Sequence, residues 1–431
     1  MPWFRLVNPL LAFTCVWCLF SFKVLLIHRD EAGLRPDDFL IILSLAGLCI
    51  TGRLLRTPLS RPFQIYLAYI FVSVVSALWN GSRGRVDTVT SLIFTARLVE
   101  YLVFYFVGYS LARSGFQFMR MVMIYFYMLC AIVPLQMIGL LPVPGHFTRE
   151  RASGNTNGPY EFAVVCGFLL CFAAYRRRSA FLGSVALLGV FLSAARITLV
   201  AAALSLLQFG FYRSRSKGLT IAIAAVAVCL GGGIYLAQAS GLIKLRAVER
   251  IENSKSYSLA DLPMAYAETP VMTNAEEYHL GPFQDLNGLD LSDFSGDKSG
   301  LIRFTRWLTL LKSSFAHVDT ILIGLGPSFG SAAVDGYYTR CLAETGVVGL
   351  IVFAAFLVAL LTVRRRSSWD FRSYVQIMMI SALFIDVFQS YKCMLLLWLW
   401  HGMTQYQASR PVDSSRLPLA SLHLEKPGAE I

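Results

Sequence analysis

Long apolar stretches alternate with short charged ones along this chain, and the apolar stretches recur at helix length. A bilayer core of about 30 Å is crossed by about 20 apolar residues in a helix, and by fewer inside a bundle. On that measure, membrane-crossing helices are predicted near 7–27, 38–52, 63–79, 88–111, 117–140, 159–175, 180–195, 197–212, 218–238, 342–363, 371–389 and 391–405. The pair over 180–212 is short, and so are the last two. One stretch, 241–341, breaks the rhythm. Its middle, 255–300, is acidic and polar. Its end, 301–316, regains helical periodicity, with Leu301, Phe304, Leu308 and Leu311 on one stripe, and predicts an amphipathic helix at the membrane face. The tail from about 406 carries Pro411, Pro418 and Pro427 and is expected to be disordered. The expected organisation is a first bundle part over 1–240, a large outer loop over 241–341, the last spans over 342–405 and a tail over 406–431.

Composition narrows the class. Of 431 residues, 56% are hydrophobic and 15% charged, with a mean hydropathy of +0.58. A soluble domain carries about 25% charged residues, so a typical soluble enzyme and a disordered scaffold are both excluded. The formal net charge is +12. In a soluble chain that excess would raise nucleic acid as a partner. In a membrane protein, basic residues gather in the short cytoplasmic loops, and no nucleic-acid partner is expected.

The charges sort by side of the membrane. One set of loops holds Arg53, Arg56, Arg61, Arg113, Arg120, Arg176, Arg177, Arg178, Arg213, Arg215, Lys217, Arg364, Arg365, Arg366 and Arg372, against Asp370 as the lone acid. The alternate loops are mixed, and both 28–38 and 241–341 hold more acids than bases. The positive-inside rule then predicts cytoplasmic termini, an even number of spans, about twelve, and 241–341 outside. The first apolar run has no small-residue cleavage site followed by a soluble domain, and reads as a retained span.

The cysteines imply no disulfide framework. Cys15 and Cys18 form a C-x-x-C on an apolar helix with no His, Asp or second pair nearby, and read as small hydrophobes packed among helices. The outer segments carry no D-x-D and no His/Cys cluster, so neither a metal nor another cofactor is expected.

Several polar residues stand out against the apolar background. Arg97 and Glu100, at i and i+3 in the fourth predicted span, share a face and are expected to neutralise each other, either as a buried structural pair or in an aqueous cavity. Lys23 is placed to snorkel. Arg149 and Arg151 lie in an outer loop with Gly154, Gly158 and Pro159, which suit a tight turn and a helix start. Arg196 is the lone charge between Arg178 and Arg213, at the outer join of two short apolar helices. Arg303 and Arg306 project from one face of the amphipathic segment, followed by Trp307. The Gly324-Leu-Gly326 loop is no phosphate loop, because no Lys-Ser/Thr follows it. Asp335 and Glu344 bracket the outer end of the tenth predicted span, where Asp335 can cap the helix. Asp37 and Asp38, in the first outer loop, can cap the second span. The outer arginines share one leaflet, and guanidinium forks suit phosphate oxygens, so a lipid diphosphate is a natural ligand.

These elements resemble, in order, those of the O-antigen polymerase and O-antigen ligase superfamily, over roughly 88–363. Arg151-Ala-Ser-Gly154 with Gly158-Pro159-Tyr160-Glu161 resembles the family's R-x-S-G…G-P element. Leu192-Ser193-Ala-Ala-Arg196 resembles L-S-x-S-R, with Ala195 replacing the second serine. Arg303…Trp307 with Gly324-Leu-Gly326 resembles R…W…G-x-G, and Asp335-Gly-Tyr-Tyr…Glu344-Thr-Gly346-Val-Val-Gly349 resembles the last element. The ligases tend to carry His-Asn at the start of that last element, where Asp335 stands here; His317 and His279 lie elsewhere. The aspartate followed by tyrosines resembles the polymerase branch.

The resemblance implies an all-α polytopic fold, a bundle like that of the C-type glycosyltransferases with one large periplasmic loop, in a bacterial inner membrane. It implies a polymerase moving a growing glycan from undecaprenyl diphosphate onto a new lipid-linked repeat unit, so that a lipid-diphosphate-linked glycan is both donor and acceptor. Membrane lipid and a chain-length regulator protein are further expected partners. Arg196, Arg303 and Arg306 would stabilise the leaving diphosphate and Arg151 would place one diphosphate. Asp335 would orient or deprotonate the attacking hydroxyl, with Asp37 and Asp38 as rivals. Tyr337, Tyr338, Glu344 and Trp307 would complete the substrate site. The alternatives are a ligase that transfers the glycan to lipid A core or protein, and a lipid-linked glycan flippase or transporter.

Overall fold

The computed structural model describes residues 3–22, 35–143, 151–212, 270–280, 298–330, 334–363 and 369–409, with isolated positions between 218 and 225. Regular structure among them is helical. In chain order the helices are α1 (Trp3–Phe20), α2 (Pro36–Ile50), α3 (Arg53–Arg56), α4 (Arg61–Ser82), α5 (Thr88–Arg113), α6 (Phe118–Met137), α7 (Pro159–Phe172), α8 (Ala180–Leu192) and α9 (Arg196–Tyr212). There follow α10 (Ala275–Leu280), α11 (Lys298–Ser314), α12 (Val318–Ile323), α13 (Tyr337–Leu361), α14 (Trp369–Ser381) and α15 (Tyr391–Ser409). A π turn, Ala173–Arg177, extends α7.

A helix occupies each predicted apolar segment except 218–238, most of which lies outside the described residues. Among the described residues, five helical runs are long and apolar enough to cross a membrane: Arg61–Ser82, Thr88–Arg113, Phe118–Met137, Pro159–Arg177 and Tyr337–Leu361. Their outward faces carry large apolar side chains, among them Phe71, Ile124, Ile351 and Val358, as a lipid-facing surface requires. The fold thus defines a multi-pass helical membrane protein.

Start signals are local. Ser60 and Ser179 accept from the backbone N–H groups of Phe63 and Leu182, and Asp87 accepts from Thr90 N at 2.8 Å, the usual way to satisfy orphan donors at a helix start. At the centre, α5 packs along α15 at backbone distance. A side chain on Gly108 would come within 2.2 Å of the Leu399 carbonyl oxygen, the small-residue contact that brings membrane helices together. Around that seam Trp398, fully buried, packs its ring against Phe63, Tyr66 and Phe356.

A second, smaller core caps one end of the bundle. Val86, Tyr278, Leu310, Leu325, Phe329, Val334 and Ala343 cluster there, with Trp307 against them. The capped end is where α7, α13 and α15 begin and α14 ends.

The helix over 298–314 buries Thr309, Leu310, Ser313 and Ser314, whereas Phe304, Leu308 and Leu311 stay half-exposed. Two expectations change. The tenth predicted span begins at Tyr337 rather than 342 and is broken at Gly346. The C-terminal helix runs through 406 to Ser409, where a tail was expected. Residues 410–431, the acidic stretch 281–297, segment 241–269, Lys23 and Arg149 lie outside the described residues.

Candidate functional site

The site at the capped end is assembled from three of the elements singled out in the sequence. Arg303, on α11, donates through Nε to Asp335 Oδ2 at 2.8 Å and through Nη2 to the Tyr160 hydroxyl at 2.6 Å. Arg151 lies over the same Tyr160 ring, 4.5 Å from its centroid, and Arg303 is 5.3 Å from that centroid. One tyrosine at the start of α7 therefore joins two guanidinium groups and a carboxylate. Arg151 is 4% exposed and donates through Nε to the Ser193 carbonyl at 3.0 Å, while Ala152 N donates to the Leu192 carbonyl at 3.1 Å. The R-A-S-G and L-S-A-A-R elements are thus bonded to each other, and Ala194 takes a left-handed φ of 57° in the turn between.

Asp335 is itself held under strain, with φ 55°. Aspartate is among the few side chains that accept that region, and strained backbone tends to gather at functional positions. Trp307 holds the turn: its indole N–H donates to the Val334 carbonyl at 2.8 Å, and its ring lies where a side chain on Gly336 would stand, 2.9 Å away. The Asp335 side chain is 33% exposed and that of Arg303 18%, so the carboxylate faces solvent while its partner is mostly covered. Burial alone would lower the Arg303 pKa, but the bonded Asp335 carboxylate and Tyr160 hydroxyl outweigh it and hold Arg303 above the ordinary arginine range.

Arg196 joins the same end through its neighbours. It starts α9 and is exposed; Thr198, two residues on, accepts from Ser381 Oγ at 3.0 Å, and the adjacent Ala382 carbonyl accepts from Tyr337 N at 2.9 Å. Arg306, one turn along α11 from Arg303, is half-exposed, and its charge acts on the buried Tyr278 hydroxyl.

Four residues expected at the site are placed differently or pulled into packing. Tyr337 is 1% exposed and bonds the Tyr69 hydroxyl at 3.1 Å, with its ring against Phe353 and Phe388. It is a core residue, because the first turn of α13 faces α4. Tyr338 is half-buried and donates to the Met379 carbonyl at 2.9 Å. Glu344 is buried and accepts from Arg340 Nη1 at 3.0 Å, and Arg340 also reaches Asp386 Oδ2 at 2.9 Å. Trp307 braces the Asp335 turn and packs on Phe384 at 5.5 Å between centroids. Glu100 accepts from Arg35 Nη2 at 3.1 Å, and the charge of Arg97, which lies 5.7 Å from the Phe94 ring centroid, also acts on it. Arg35 also lies on Asp38 at 3.2 Å and over the Tyr391 ring. Asp38 Oδ2 accepts from Arg35 N at 2.8 Å at the start of α2, and Asp37 accepts from the Trp17 indole at 3.0 Å. Both rival carboxylates therefore have capping and packing partners.

The break at Gly346 explains the G-x-G element. Gly346 has φ 68°, and a side chain there would meet the Leu322 carbonyl oxygen at 2.3 Å. The carbonyls of Ala343 and Glu344 are taken instead by Leu325 N at 2.6 Å and Gly326 N at 3.2 Å, and Ser76 Oγ also donates to Glu344 O at 2.7 Å. The Gly324–Gly326 strand of backbone is a strut bonded to an interrupted helix.

Residues passed over by sequence reasoning cluster just beside the site. Lys392 donates through Nζ to the carbonyls of Leu19, Ser21 and Asn155 at 2.8–2.9 Å, where it covers the carbonyl end of α1. Glu161 accepts from Lys392 N and Asn157 N, each at 2.8 Å. Arg340 and Asp386 had a visible signal: an arginine four residues before Glu344 and an acid inside the apolar run 371–389. Among the described residues no three of His, Cys, Asp and Glu are grouped so as to hold a metal.

The arrangement sets two guanidinium groups on one tyrosine ring, with a partly exposed carboxylate bonded to one of them. No protein-family model matches the chain, and no curated protein matches it.

Proposed function

We propose that the chain is a polysaccharide polymerase resembling the O-antigen polymerase branch, acting at the periplasmic face of a bacterial inner membrane. It transfers a growing glycan from undecaprenyl diphosphate to the nonreducing end of a lipid-linked repeat unit. The observation that carries this reading is the meeting of Arg151, Tyr160, Arg303 and Asp335, from three distant parts of the chain. The charge sorting of the loops supports about twelve spans, with the capped end and 241–341 on the periplasmic side.

In this reaction an acceptor sugar hydroxyl forms a bond to the donor's anomeric carbon, and the bond from that carbon to the diphosphate oxygen breaks. The electron pair leaves with the lipid diphosphate, and the hydroxyl proton goes to Asp335. Arg303 and Arg151 bind the diphosphate and stabilise the charge that develops on it, with Arg196 and Arg306 extending the cationic surface. Arg303 also fixes the Asp335 carboxylate, so that nucleophile and leaving group are held by one guanidinium, as near-attack geometry of about 3–3.5 Å demands.

A ligase is the rival enzyme reading, and Asp335 at the position of the ligases' histidine speaks against it. A flippase would need its charges along a central cavity, whereas Arg151, Arg303 and Asp335 gather at one end. The test is the length distribution of lipid-linked glycan in a strain lacking the protein. Single repeat units are expected; undiminished long polymer would refute the polymerase reading.

A further inference from the structure

The end of the bundle opposite the cap holds a cavity of about 610 Å³ between α6, the π turn and the end of α15. Its body is apolar, walled by Phe116, Met123, Phe172, Trp400 and Met403, and its rim carries Arg120, Arg176 and Arg177. No carboxylate lines it among the described residues. Arg176 is neutralised by Asp370, which is buried, and Asp370 is held in turn by Phe371 N at 2.9 Å. Arg120 and Arg177 are exposed and make no ion pair with a described carboxylate. The π turn matters here: α7 ends on consecutive arginines, one directed to Asp370 and the next to the cavity rim, before Arg178 turns the chain with φ 50°. The floor is rigid, because Trp400 is 2% exposed and packs on Phe168 with centroids 4.8 Å apart.

We propose that this cavity binds an anionic phospholipid of the adjoining leaflet, with the phosphodiester at Arg120 and Arg177 and the upper part of one acyl chain along the Phe116–Met123–Trp400 wall. Two like charges are brought to one space only at a cost, and a phosphodiester relieves it while matching the planar guanidinium fork. Basic pockets between membrane helices are where acidic headgroups dock, and the volume lies in the range of about 300–1,000 Å³ typical of small-ligand sites. The apolar wall distinguishes a lipid from free phosphate, which would leave that wall unused. The bound lipid braces the end of α15, the helix whose start carries Tyr391 and Lys392 at the capped end. The proposal is independent of the catalytic reading.

The test compares thermal unfolding of the purified full-length protein in detergent micelles containing phosphatidylcholine or the same micelles containing phosphatidylglycerol. Phosphatidylglycerol should raise the midpoint, and the double substitution Arg120→Gln, Arg177→Gln should abolish that rise. The pair Arg53→Gln, Arg56→Gln, which carries basic charge elsewhere at the same end, should keep it. An unchanged rise in the first double variant, an equal loss in the second, or the same rise from inorganic phosphate alone would overturn the proposal. Native mass spectrometry of the unmodified protein with equal phosphatidylglycerol and phosphatidylcholine gives a second reading. Preferential retention of phosphatidylglycerol is expected, and equal retention would contradict the site.

Discussion

At the scale of single residues, the proposed transfer turns on Asp335 and the two arginines that share Tyr160. Asp335→Asn keeps the size and the strained turn but removes the proton acceptor. Loss of general-base help is typically a factor of about 10²–10⁴, so polymer formation should fall by at least the lower figure while binding of the lipid diphosphate persists. Arg196→Lys keeps the charge and loses the planar fork, and polymer should again fail; normal polymer from this variant would remove Arg196 from the site. Arg340 makes a different prediction. Its side chain is 1% exposed between Glu344 and Asp386, and breaking such a buried network by removing one partner costs about 3–5 kcal/mol. Arg340→Ala should therefore fall in folded yield and melting temperature, which detergent-solubilised thermal unfolding reads directly. The sequence made Arg151, Arg303 and Asp335 visible because charged residues among apolar runs are costly unless they have partners. It could not show which partner each takes. Arg97 and Glu100 are spaced to share one helix face, but nothing in that spacing announces Arg35, which reaches Glu100 from the start of α2.

At the scale of elements, hydrophobic length placed the helices well, because burial and lipid contact depend on the same apolar periodicity. It could not find the interruption in α13. That break needs only one glycine, and its reason lies some twenty residues away in the strut that takes the Ala343 and Glu344 carbonyls. The Gly324-Leu-Gly326 motif was legible as a flexible loop but not as a backbone partner for a helix. Gly346→Ala would add left-handed strain of about 1–2 kcal/mol and a side chain 2.3 Å from the Leu322 carbonyl oxygen. The strut should detach, and with it the cap that carries Arg303 and Trp307. The expected outcome is a protein that still inserts in the membrane, is cleaved by protease at the strut, and makes no polymer. Unaltered protease resistance would show that α12 docks by other contacts.

At the scale of the whole molecule, the charge asymmetry of the loops is the feature that orients everything else. A cysteine placed at 285 should react with a membrane-impermeant reagent added to intact cells, and one placed at 414 should not; the reverse pattern would put the cap in the cytoplasm and exclude a lipid-diphosphate site there. The central claim, that the cluster around Tyr160 performs glycan transfer, is tested most directly by reconstitution. Purified protein in vesicles is given lipid-linked repeat units alone, and products are resolved by length. A ladder of polymer on the lipid is expected for the unmodified chain, and single units only for Asp335→Asn and Arg303→Lys, both retaining their thermal unfolding transitions. A full ladder from folded Asp335→Asn and Arg303→Lys would contradict that claim.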